Sequence, residues 1–90
     1  MGTVHELKCW PESFDLIRDG KKTFEIRVND RNYRTEDILR LNRYMPKDKY
    51  YTGEQIVVEV TSITQGKWGL PENLCVMSIR VMWTRENVHS

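Results

Sequence analysis

The run Gln55-Ile56-Val57-Val58-Glu59-Val60-Thr61-Ser62-Ile63 is the strongest β signal in the chain, and it limits the fold more than any other stretch. β-Branched residues dominate it, as suits a pleated and partly buried surface. Ile56, Val58 and Val60 share one parity, but Ile63 falls on the other. A strand with one buried face changes parity only where an extra residue enters, so a bend or bulge is expected near Ser62. Such a strand belongs to a strongly curved sheet.

Four further strands are expected. Residues 4–10 place His5, Leu7 and Cys9 on one face and Glu6, Lys8 and Trp10 on the other. Residues 23–28 send Phe24, Ile26 and Val28 toward a core, with Thr23, Glu25 and Arg27 on the opposite face. Residues 38–44 alternate Leu39 and Leu41 with Arg40 and Asn42. Residues 74–83 set Cys75, Met77, Ile79, Val81 and Trp83 on one side and Ser78 and Arg80 on the other. Residues 65–73 read as a loop and residues 84–90 as a polar tail.

One helix separates the first two strands. Pro11 suits a first helical position, where a missing N–H is no loss, and Glu12 and Asp15 put negative charge near the positive end of the helix dipole. Trp10, Phe14 and Ile17 form one apolar stripe, and Gly20 is the natural left-handed residue after the last turn. The stripe accounts for Trp10 as a core residue; stacking on a ligand is its alternative role. Five strands, one helix and marked curvature leave two architectures, an open α+β sheet or a small closed barrel with the helix over one end. The barrel is favoured because closure removes edges that so small a sheet protects poorly. The fold class is thus α+β, mainly β.

Ninety residues bury a single core, so residues 1–90 are expected to form one domain; the sequence leaves the oligomeric state open, with a monomer favoured. The sequence contains no run of eighteen apolar residues and its start lacks the pattern of a signal peptide, so a cytoplasmic location without membrane contact is expected. Net charge is only +1, yet residues 18–43 carry eight Lys or Arg against five Asp or Glu. That local excess marks either a patch for an anionic partner or a solvated face. Cys9 and Cys75 sit among apolar neighbours without metal-ligand spacing and read as buried thiols. A metal site from His5, Cys9, Cys75 and His89 needs four distant residues to meet and is disfavoured; no cofactor is expected.

The excess centres on Gly20-Lys21-Lys22-Thr23-Phe24-Glu25-Ile26-Arg27. Lys22 lies three residues before Glu25, so strict alternation cannot aim both the same way; only a turn or bulge at the strand's start lets them converge. This run resembles the G-x-K-x-x-E-x-R signature of the ASCH domains, small β-barrels of the PUA-like superfamily. The preceding helix, the strand at Asp37-Ile38-Leu39 and the closing strand with Val76-Met77-Ser78-Ile79 agree with that resemblance, which spans roughly residues 4–82. Together with Trp10-Pro11 and Asn29-Asp30-Arg31, the motif looks especially like a small bacterial and phage branch of the family.

The resemblance implies a cleft between helix and barrel that binds RNA or a modified nucleoside. Lys22, Glu25 and Arg27 carry over as cleft residues, with Arg31, Ser78, Trp10 and Trp68 as further candidates. Lys22 offers a compact cation, Arg27 a planar fork for a phosphate or base, and Glu25 an acceptor or an anchor for both. Trp10, Tyr33 or Trp68 would stack on bases. The plain alternative is a solvated ion cluster pinning helix to strand. Some ASCH relatives are hydrolases, either deacylating N4-acetylcytidine or cleaving RNA. By that resemblance Lys22 is the catalytic candidate of an amidohydrolase or nuclease, and Glu25 beside it would shuttle the proton. Deacylating relatives, however, have a threonine at the position of Glu25 and a glutamate on a long insertion, where this chain has the short loop at residues 68–73 with Glu72 as its only acid.

Overall fold

The computed structural model describes residues 2–87. It contains β1 (Val4–Cys9), α1 (Pro11–Arg18), β2 (Phe24–Val28), β3 (Ile38–Met45), β4 (Tyr50–Gln65) and β5 (Leu74–Arg85). The strands form one sheet in the order β1-β3-β4-β5-β2, with β1 and β3 parallel and all other pairs antiparallel. The protein is therefore mainly β with one short helix, a sheet curled into a half-barrel.

Bulges produce the curl. Val60 faces Ile79 and Ser62 faces Ser78, which leaves Thr61 as an extra residue on β4, beside the expected parity change. The Thr61 hydroxyl donates to the Ser78 carbonyl at 3.2 Å. A second shift lies on β5, where Val58 faces Val81 but Val57 faces Trp83. The extra residue is Met82, and it sends Trp83 to the outer face with Val57. Trp83 is accordingly 50% exposed, and Val81, although it faces the buried Val58, is 43% exposed too; the alternation from Cys75 to Ile79 placed both in the core. β5 also runs beyond the expected end: Thr84 and Arg85 pair with Ile56 and Gln55 rather than opening a polar tail. His89 lies outside the described residues.

The core is built from Leu7 and Cys9 of β1, Phe14 and Ile17 of α1, Tyr33, and the inward residues of β3, β4 and the first half of β5. Each large side chain hidden there contributes roughly 1.5–3 kcal/mol. β2 contributes no apolar residue to it. Among the described residues no helix is long and apolar enough to cross a membrane.

The entry to β3 is held by Asp37. Its carboxylate accepts from the Thr3 amide (2.9 Å), the Arg34 amide (3.0 Å) and His5 Nε2 (2.8 Å). Just before it, Glu36 takes a positive φ of 72°, a conformation expected to need glycine. Two backbone bonds pin the turn there: Glu36 N–H donates to Val60 O at 2.7 Å and Val60 N–H to Asp37 O at 2.8 Å.

β1 and β2 are the two edges of the half-barrel, and no ladder joins them. Closure by a continuous sheet is replaced by side chains that bridge the gap. Arg27 donates through Nη2 to Lys8 O at 2.7 Å and Arg31 through Nη1 to Glu6 O at 3.1 Å. Because guanidinium groups stand between the edges, the seam is wider than a strand pair and polar.

Candidate functional site

The helix exit aims the first residue of the site. Gly20, at φ 74°, donates to Ile17 O at 3.1 Å, and Lys21 donates to Leu16 O at 2.8 Å. This is the Schellman pattern that satisfies the last carbonyls of a helix. Lys22 N–H also reaches Leu16 O, at 3.1 Å, so the chain is folded back along α1 before β2 starts at Phe24. Lys22 Nζ consequently donates to Ser13 Oγ on the helix and lies 3.7 Å from Glu25 Oε1. The turn needed to bring Lys22 and Glu25 together is the helix cap itself.

β2 is turned inside out relative to expectation. Glu25 is only 3% exposed, whereas Phe24, Ile26 and Val28 are 40%, 49% and 50% exposed. The register explains the inversion: Glu25 lies opposite Met77 and Arg27 opposite Cys75, both buried, while Phe24, Ile26 and Val28 oppose Ser78, Val76 and Leu74. Directly opposed residues share a face, so the alternation of β5 dictates that of its shorter neighbour. The inward carboxylate tolerates removal from water because both oxygens are matched: Oε1 by Lys22 and Oε2 by Arg27 Nε at 2.9 Å.

Two adjoining hollows flank this cluster and share Lys8, Trp10 and Arg27. The inner one, about 250 Å³, contains Lys22, Glu25, Ser13 and Cys9. The outer one, about 440 Å³, follows the seam past Arg31, Asp30 and Tyr33 and opens over the edge of β1 toward Asn42 and Tyr51. A volume of that size lies within the range of small-molecule sites. Burial, helped by the Glu25 carboxylate, pushes the Cys9 thiol up to about 12 against the pull of Arg27, Lys22 and Arg43, which disfavours the thiolate a nucleophile needs. Tyr33 is likewise raised by burial, opposed by Arg27 and Arg31.

Of the residues singled out from sequence, Lys22, Glu25, Arg27, Arg31 and Trp10 meet at the seam. Trp10 is not a core residue; it caps α1, with its ring 5.6 Å from that of Tyr44. Ser78 stands on the outer face opposite Phe24, and Trp68 is 89% exposed in the β4–β5 loop; neither lines either of these two hollows. Sequence reasoning missed Lys8, Ser13, Asp30, Asn42, Tyr44 and Tyr51. The clustering of Tyr44, Tyr50 and Tyr51 around one turn was the available signal for the tyrosines; Ser13 had none, since its role depends on the fold-back of Lys22.

Over 64 residues, 71% of this chain, the sequence is 36% identical to a protein of Escherichia phage P2 described as an uncharacterized 12.9 kDa protein in the GpA 3' region; the matched stretch covers 57% of that relative's length. The seam's contributors from Lys8 to Tyr51 all fall within residues 4–79, which match the model of a domain of unknown function, DUF3850, and the chain belongs to that family.

Proposed function

We propose that this protein binds RNA or a nucleotide-like ligand in the seam between β1 and β2. The observation that carries the reading is the inward aim of Glu25 and Arg27 on a strand whose apolar residues face water. Burying Phe24, Ile26 and Val28 instead would stabilise the fold, and local choices that oppose stability gather at functional sites. Glu25, with both oxygens engaged, acts as an anchor that fixes two cations rather than as a free acceptor. Lys22, Arg27 and Arg31 then present positive charge to a phosphate, and Asp30 offers an acceptor for a base edge. Kinship with the ASCH domains, carried by residues 20–27, belongs to the same proposal.

Titration of labelled single-stranded RNA and of free nucleotides against the wild type and Lys22→Ala tests it. Saturable binding weakened by the substitution is expected; equal binding by both proteins, or none by either, overturns it. The contact between Lys22 Nζ and Glu25 Oε1 favours a second reading, hydrolysis of a modified pyrimidine nucleoside or of RNA. Incubation with N4-acetylcytidine, followed by chromatography for cytidine, separates turnover from binding alone.

A further inference from the structure

Three aromatic rings continue the seam onto the outer face of the sheet. Trp10 belongs to both hollows, its ring lies 5.6 Å from Tyr44, and Tyr44 lies 4.9 Å from Tyr51, which lines the far side of the outer hollow. Lys8 Nζ sits 4.4 Å above the Tyr44 ring, midway along this row. The register holds the row in place, since Tyr44 faces Tyr51 directly across β3 and β4. Trp10 and Tyr51 are 45% and 54% exposed, a large apolar area left in water unless something covers it.

The charges around the row favour a polyanion. Lys8 lies at its centre, Lys22, Arg27 and Arg31 at the seam end, and Lys47 and Lys49 in the turn that follows Tyr44 and precedes Tyr51. Among the described residues, Lys8, Lys47 and Lys49 form no ion pair. Of the nearby acids, Glu6 is engaged by Arg40 and Asn42 and Glu54 by Arg43 at 3.5 Å; among the described residues Asp30 and Asp48 form no ion pair, and Lys8, Arg31, Lys47 and Lys49 still outnumber them. Two half-exposed rings, Trp10 and Tyr51, on either side of Tyr44 and Lys8 match the repeating chemistry of a nucleic-acid strand, one flat base and one phosphate per unit. A duplex hides its base faces, so the matching form is single-stranded.

We propose that Trp10 and Tyr51 stack bases of a single-stranded RNA that enters the seam at one nucleotide, with Tyr44 holding the two rings and Lys8 meeting a phosphate between them, an extension that rests on the nucleotide reading of the seam. The ligand is then a strand of several nucleotides rather than a free nucleoside. Each of the two stacking rings contributes through a base face, so recognition along the row is tolerant of sequence.

The test compares uridine 5′-monophosphate, hexauridylate and a hexamer duplex by titration against the wild type, Tyr51→Ala, Tyr44→Ala, Tyr51→Phe and Lys22→Ala. Multiple registers on a hexamer raise its apparent affinity by at most about sixfold. A second base stacked on Tyr51 raises it by roughly a further tenfold, and Tyr51→Ala narrows the hexamer-to-monophosphate ratio by about that factor. Tyr51→Phe keeps the ring and the affinity. Lys8→Ala lowers the slope of log affinity against log salt by about 0.7. Tyr51 is exposed, so its substitutions leave the fold intact, and circular dichroism checks Tyr44→Ala. If hexamer and monophosphate differ by no more than about sixfold in wild type and Tyr51→Ala alike, or the duplex binds as tightly as the single strand, the row is not a stacking path. Loss of monophosphate binding in Lys22→Ala in that same experiment would leave the seam reading standing. Absence of binding by every ligand would overturn both.

Discussion

Glu25→Gln is the sharpest probe of the site, because it keeps the shape of the side chain and removes the one charge that holds Lys22 and Arg27 together. With Arg27 Nε at 2.9 Å and Lys22 Nζ at 3.7 Å, the gross attractions are about 6 and about 4 kcal/mol at an effective dielectric of 20. Most of that is offset by stripping water from a carboxylate that is 3% exposed, a cost of several kcal/mol per ion. The two cations are partly exposed and can recover some hydration when their partner is lost, which lowers the penalty further. A net loss of about 2 kcal/mol is expected, below the 3–5 kcal/mol typical of a fully buried pair broken on one side. For a domain of this size that corresponds to a fall in Tm of roughly 10 °C, measured by thermal unfolding followed by circular dichroism. The triple variant Lys22→Met, Glu25→Leu, Arg27→Met should unfold at or above the wild-type temperature, since an apolar set of similar volume no longer carries the desolvation cost. A Glu25→Gln stability within 0.5 kcal/mol of wild type would show that the cluster is an ordinary solvated ion pair, and the idea of a partly dry seam would fail.

Burial of the Asp37 carboxyl pushes its pKa up, but hydrogen bonds from His5, Thr3 and Arg34 outweigh it and hold the group below the usual aspartate value. A depressed native pKa gives stability that is present above the unfolded value near 3.9 and is lost as pH falls through the native one. Melts between pH 2 and 7 should therefore drop steeply at the acid end in wild type and more gently in Asp37→Asn, which is already weakened at neutral pH. Cys9, held near 12, should resist iodoacetamide at pH 8 in the folded protein and react only as fast as the chain opens; rapid alkylation followed by mass spectrometry would contradict its placement. Glu36→Gly should be neutral or stabilising by up to about 1 kcal/mol in urea unfolding, because relief of the left-handed strain at φ 72° is partly offset by the greater freedom of glycine in the unfolded chain. A clear loss of stability would mean that the Glu36 side chain, not the turn, matters there.

Much of this molecule was legible in its sequence where the signal was local. Pro11 opens α1 and Gly20 closes it, because the cap is made by amides and carbonyls no more than six residues apart. The parity change between Val60 and Ile63 announced the bulge at Thr61, since a strand buried on one face admits no other explanation. That Lys22, Glu25 and Arg27 form one group was expected from the motif at residues 20–27, while their spacing alone required a turn that the helix cap supplies. What sequence could not decide was which face of β2 looks inward. Alternation says which residues travel together, and only pairing with β5 assigned Glu25 and Arg27 to the interior and Phe24, Ile26 and Val28 to water. The same dependence on distant partners moved Trp10 out of the core beside Tyr44 and gave the expected small barrel the form of a half-barrel whose edges are bridged by Arg27 and Arg31. The seam exists only because residues 6 and 8 on one edge meet residues 27 and 31 on the other, a contact across the whole sheet that no local pattern encodes.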